Sequence, residues 1–147
     1  MGQNNHPALS FARISSKKVE ADFEGGNVTS DGGALFLREA EKKAGVIGRL
    51  SRAMRDHRDC RYVDHPIKDL ISQRVFQIAC GYEDANDSNT LRRDPAIKAA
   101  CDKLPITGQN LASQSTMTRL ENGISHRTRR GISRRELYEM AKALVDT

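Results

Sequence analysis

Residues 67–95 read IKDLISQRVFQIACGYEDANDSNTLRRDP, and this stretch decides the fold class. Ile67, Leu70, Ile71, Val75, Ile78 and Ala79 recur at three- and four-residue intervals, the spacing of one helix face. Phe76 and Cys80 widen that face, which predicts a central helix contacted from several sides. Pro66 suits the first turn, and Gly81 can take the left-handed conformation that closes the helix. Glu83, Asp84 and Asp87 crowd the short turn that follows. Asp94 then reads as a cap and Pro95 as the first-turn residue of a further helix reaching about Lys103.

Working upstream, residues 1–16 are polar and without sustained period, and are expected to be a flexible lead-in. Residues 18–26 read KVEADFEGG. Val19, Ala21 and Phe23 alternate with Glu20, Asp22 and Glu24, the pattern of a half-buried strand stopped by two glycines. A return strand beginning at Asn27 and Val28 would make a small hairpin over residues 17–28. Thr29, Ser30 and Asp31 are capping candidates ahead of a helix over 34–44 that Gly45 ends. The same glycine-rich turn lacks the lysine and spacing of a phosphate-binding P-loop. A short helix over 46–54 places Ile47, Leu50 and Met54 on one face. Residues 29–104 thus read as a helical core.

Downstream, residues 111–147 form a basic helical segment. Ser113 or Ser115 caps a helix carrying Met117 and Leu120, within the string SQSTMTRLENG at 113–123. Its polar face (Ser115, Thr116, Thr118 and Arg119) has the residue types of a groove-reading helix, although Pro105 and Gly108 stand where a partner helix would precede it. Residues 126–135, HRTRRGISRR, hold Arg127, Arg129, Arg130, Arg134 and Arg135 with no acid among them. Planar guanidinium forks at this density match phosphate oxygens. A last helix opens with the capping box Ser133-Arg134-Arg135-Glu136 and carries the apolar stripe Leu137, Met140, Ala141, Leu144 and Val145.

The composition agrees with that direction. The chain has 147 residues, 37% of them hydrophobic, a formal net charge of +5 and a pI near 9.3. Such a balance favours a polyanionic partner. No apolar run approaches a membrane span. Cys60, Cys80 and Cys101 are odd in number and widely spaced, which predicts reduced thiols and a cytoplasmic protein. His57, Cys60 and His65 match no standard zinc spacing, and Arg55, Arg58 and Arg61 around them oppose a cation. No metal site is expected there, nor a nucleophile–base pair.

Four strings taken together resemble the N-terminal region of bacterial insertion-sequence transposases of the DDE type, group 1. They are VEADFEGGNVTSDGGALFLRE at 19–39, RYVDHPIKDLISQRVFQIACGYEDANDSNTLRRDP at 61–95, LASQSTMTRLEN at 111–122 and RRELYEMAKALVD at 134–146. The resemblance implies a protein that recognises the terminal inverted repeats of its element as double-stranded DNA, near the bacterial nucleoid, with a homodimer possible. In full-length relatives three carboxylates on an RNase H-like domain hold two divalent metals, so Mg²⁺ is expected only there. The first of those aspartates lies just beyond the helix that here reaches Asp146, and Asp31, Glu83, Asp84 and Asp87 belong to other motifs. The expectation is therefore a mainly α fold with a small N-terminal β-hairpin or strand, the catalytic core absent or only begun, and no catalytic residue within the chain. It would be a truncated front section that binds DNA and assembles. The alternative is a stand-alone helix-turn-helix transcriptional regulator. Cys60 departs from the proline common at its place in the family, and His57 from an arginine.

Overall fold

The computed structural model describes residues 8–22, 28–56, 58–122 and 134–145. The fold is mainly helical with one two-stranded antiparallel sheet at its N-terminal side. The strands are β1 (Leu9–Ile14) and β2 (Lys17–Ala21). The partner of the alternating strand therefore lies upstream, inside the stretch expected to be a flexible lead-in, and Val28 belongs to no strand. Phe23 and Asn27 lie outside the described residues.

A bulge explains why β1 carries no visible period. Phe11 pairs with Val19 and Ile14 with Lys17, so β1 spends one residue more than β2 between those points. The extra residue reverses the side-chain alternation. Phe11 and Ile14 can then both meet the core despite opposite parity, and Ile14, Val19, Leu35 and Ala99 form one buried cluster with Phe11 packed on it.

The helices follow as α1 (Gly33–Ala44), α2 (Val46–Ala53), α3 (Ile67–Ala79), α4 (Ser88–Leu91), α5 (Pro95–Ala100), α6 (Gln114–Asn122) and α7 (Arg134–Val145). No side chain caps α1. Thr29 Oγ1 accepts from the Asp31 amide instead, and the Asp31 carboxylate accepts from the Tyr82 hydroxyl. The start of α2 is capped from the preceding helix: Glu41 accepts from the Val46 and Ile47 amides at 3.1 and 2.7 Å. Asp94 caps α5 as its sequence predicts, accepting from Ala96 and Ile97 at 2.9 Å each.

Helix α3 is central, touching α1, α2, α5 and α6. Pro66 sits just before its first turn, with the Asp69 and Leu70 amides donating to its carbonyl. At the other end Tyr82 N–H reaches Gln77 O and Gly81 N–H reaches Ile78 O, the paired bonds of a Schellman closure. Gly81 supplies the φ of +92° that this closure requires. The same closure ends α5 short of Lys103. There Asp102 takes the left-handed position at φ +57°, with Asp102 N–H on Ala99 O and Lys103 N–H on Lys98 O.

The inward face of α3 is rotated from the purely apolar stripe. Leu70, Ile71 and Phe76 are buried, but Ile78 is 50% exposed and Ala79 is exposed, whereas Gln73 and Gln77 are fully enclosed. Hydrogen bonding offsets the burial of Gln73 in full and of Gln77 on its carbonyl side only, since Gln77 Nε2 is buried without a partner among the described residues. The Gln73 amide donates to Ala112 O (2.9 Å) and accepts from Ala112 N (2.8 Å), so one side chain satisfies both backbone groups of a residue in the segment leading to α6. Gln77 accepts from the buried Ser88 hydroxyl at 3.2 Å. Leu70, Ile97, Leu111 and Met117 are fully buried in the same core.

Helix α7 folds back on α2 rather than on α3. Met140 alone of its apolar stripe packs against the core; Leu137 and Leu144 stay about half exposed, and Val145 more so.

Replacing Gln73 with Leu keeps the volume and strips both partners from Ala112. Each buried group so orphaned costs about 1–3 kcal/mol. Urea unfolding should show Gln73→Leu losing far more stability than Ile78→Ala. The reverse order would mean that the apolar stripe, and not the glutamine, faces the core.

Candidate nucleic-acid interface

Helix α6 is held from one side only. Met117 and Leu120 are buried, Ser115, Arg119 and Asn122 are exposed, and Thr116 and Thr118 lie between. Positions 115, 119 and 122 fall on one face by helical spacing. Several of its polar groups are already engaged. Thr116 Oγ1 shares a 3.3 Å bond with Ser113 Oγ, and Thr118 Oγ1 accepts from Gln114 Nε2 at 3.1 Å. Ser115 Oγ lies 3.1 Å from Ser113 Oγ. Glu121 pairs with Arg74 at 2.7 Å, and Arg74 also donates to Tyr82 O and Glu83 O, so this acid is turned toward α3. Arg119 forms no ion pair among the described residues.

Residues 101–113, between α5 and α6, contain no helix. They are an ordered connection. Lys98, only 2% exposed, donates to Gly108 O at 2.8 Å, and Gly108 N–H returns to Leu104 O. A Cβ on Gly108 would stand 2.4 Å from Leu104 O, which only glycine avoids. The tight two-helix turn of a helix-turn-helix is therefore not built in front of α6.

Arg134 and Arg135 open α7 and are exposed. Arg127, Arg129 and Arg130 lie outside the described residues, as does Ser133 of the capping box. Glu136, the other half of that box, accepts from the Arg55 amide at 3.4 Å. The six described residues among those singled out from sequence thus stand on different supports: α6 rests on α3 and α4, and α7 rests on α2.

Between α2 and α7 lies a cleft of about 450 Å³ whose cationic lining is Arg49, Arg52, Arg55, Arg135 and Lys142, with Glu136 and Glu139 as its acids. Of these cations the sequence reading assigned only Arg135 to DNA, and named Arg55 solely as a charge opposing a metal. Part of the signal was present in the three-residue spacing of 49 and 52 on α2 and the seven-residue spacing of 135 and 142 on α7, each one helix face, while Arg55 follows just past the end of α2. The reading of α2 attended to its apolar side alone.

The loop before α3 is less basic in effect than in composition. Arg58 pairs with Asp56 (2.6 Å) and donates to His65 O (3.0 Å), while Arg61 pairs with Asp59 (2.6 Å). The Asp59–Arg61 hydrogen bonds lower the acid's pKa and raise the base's. His57 lies outside the described residues, and among the described residues no group of three or more His, Cys, Asp or Glu side chains could hold a metal. Nor is any described helix long and apolar enough to cross a membrane.

Against this geometry stands one family assignment. The family model for the transposase DDE domain, group 1, matches residues 11–147. The chain belongs to that family, which gives it a role in transposition and DNA as its substrate. No curated protein matches the chain, and no solved structure does.

All three thiols are free, with Cys60 exposed, Cys80 half-buried and Cys101 buried. Burial pushes the Cys101 thiol up to about 12. Because the thiolate is the nucleophile, brief iodoacetamide treatment of the native protein at pH 8 should label Cys60 and spare Cys101. Peptide mass spectrometry reads the result, and labelling of Cys101 at the rate of Cys60 would contradict the buried placement.

Proposed function

We propose that this chain serves as the DNA-binding and assembly region of a DDE transposase, engaging the inverted-repeat ends of an insertion sequence. The observation that carries the reading is the pairing of family membership with cationic, solvent-facing helix surfaces: Arg119 on α6, and Arg134 and Arg135 on α7. Arg127, Arg129 and Arg130 lie between them in sequence and extend the same charge. In this reading Ser115, Thr116 and Thr118 contribute hydroxyls beside Arg119. Thr116 and Thr118 would first exchange internal partners for DNA, so Arg119 contributes most on α6. The organisation proposed is the hairpin, a helical core over 29–104 and a basic segment over 111–147.

Cleavage and rejoining belong to metal-bound carboxylates, a task this reading does not give to Asp31, which accepts from Tyr82, or to Asp84, which caps the turn at Asn86. A helix-turn-helix regulator is disfavoured by the helix-free connection at 101–113.

Fluorescence anisotropy with an inverted-repeat duplex from the encoding element, beside a scrambled duplex, tests this directly. The parent should bind, and each phosphate contact should steepen the logarithmic salt dependence by about 0.9. Arg119→Ala should weaken binding to the inverted repeat, and Arg127, Arg129 and Arg130 changed together to Gln should weaken both duplexes and flatten the salt slope. A parent without affinity for either duplex, or variants that bind as the parent does, would refute the assignment.

A further inference from the structure

The cleft between α2 and α7 gathers five cations among the described residues. Arg49, Arg52 and Arg55 come from one wall, Arg135 and Lys142 from the other, against two carboxylates, Glu136 and Glu139. Glu136 is partly engaged by the Arg55 amide. Like charges facing one another across a concave surface repel, and an anion between them relieves the repulsion.

Arg49 gives the site a fixed element. Its Nε donates to Ala143 O at 3.0 Å and its Nη1 to Ala44 O at 2.7 Å, which locks the guanidinium plane. Its Nη2 is buried with no hydrogen-bond partner among the described residues. A buried donor without an acceptor is uncommon in folded proteins, and this one belongs to a guanidinium that lines the cleft. Arg52, Arg55, Arg135 and Lys142 are exposed and can close on an anion there.

We propose that this cleft seats backbone phosphates of the bound duplex, as a second contact surface separate from the exposed face of α6. The proposal rests on the DNA-binding reading above. The cleft is open along one side, and its cations come from two walls, an arrangement that suits an extended anion such as a stretch of backbone. Phosphate contacts position a protein on DNA without reading sequence, so the cleft should act equally on any duplex.

The test compares the parent with Arg52→Gln/Lys142→Gln and with the charge-keeping pair Arg52→Lys/Lys142→Arg. Both positions are exposed and form no ion pair among the described residues, and circular dichroism checks that each variant folds. Anisotropy titrations across a salt series, on inverted-repeat and scrambled duplexes, give the affinity and slope. The neutral pair should lose about tenfold in affinity on both duplexes and flatten the slope by about 2, at about 0.9 per contact. The charge-keeping pair should behave as the parent. An unchanged slope in the neutral pair, with Arg119→Ala still weakening binding, overturns the cleft and leaves the DNA reading intact. A parent that binds no duplex overturns both. If inorganic phosphate raises the melting temperature of the parent but not of the neutral pair, and duplex does not compete, the site takes free anion and the proposal fails.

Discussion

The Arg38 guanidinium is the joint on which the N-terminal half depends. It is 3% exposed and comes from the middle of α1. Nη1 donates to Ala12 O (2.8 Å), Nη2 to Arg13 O (3.2 Å), and Nε and Nη2 to Asp102 Oδ1 (2.9 and 2.6 Å). Ala12 and Arg13 are the residues of the β1 bulge, whose backbone groups have lost their ladder partners. Glu39 completes the repair by accepting from Ala12 N–H at 3.2 Å. Asp102, left-handed at the end of α5, closes the triangle. A two-stranded hairpin is marginal by itself in water, and here a buried fork holds it to two helices at once. Because the Asp102 carboxylate is 65% exposed, the Coulomb part of this pair is modest. Satisfying the bulge carbonyls is the larger contribution.

A second polar joint sets the C-terminal half. The Gln73–Ala112 pair fixes the segment leading into α6, so Met117 and Leu120 enter the core and Ser115 and Arg119 face outward. A further side-chain bond, Asn89 Oδ1 accepting from Gln114 N–H at 3.1 Å, sets the first turn of α6 against α4. The orientation of the proposed DNA-facing surface is thus decided by buried amides, not by the arginines that it displays.

This explains what could be read from sequence. Helices α1, α2, α3 and α5 were legible because their glycine or proline boundaries and apolar spacing are local and agree with one another, whereas of their expected side-chain caps only Asp94 on α5 forms. The strand β2 was legible by its alternation. β1 was not, since a one-residue bulge erases the period that would reveal it, and the restoring partner lies on α1. The face of α3 was misjudged because a glutamine counts as polar by type, while its burial depends on Ala112, distant in sequence. At the candidate site Arg119, Arg134 and Arg135 were legible as charge alone. The cleft was not, because the pairing of α2 with α7 is tertiary: Arg49, Arg52 and Lys142 gain their meaning from each other.

Helix α7 shows how weakly apolar packing alone would hold this part of the molecule. Its stripe sends Met140 to the core and leaves Leu137 and Leu144 about half exposed. At about 25 cal/mol per Å², one well-placed methionine contributes only a few kcal/mol at most. Polar ties between the two helices include the Arg49–Ala143 hydrogen bond and the long Arg55–Glu136 contact. Both involve arginines that line the cleft, so the groups that dock α7 also line the surface proposed to meet phosphate. An anion in the cleft would screen repulsion between α2 and α7 and favour their close approach. Binding only the docked arrangement, it would stabilise that arrangement by mass action. On the proposal above, docking of α7 and engagement of DNA would be one equilibrium, with charge supplying what the thin apolar contact lacks.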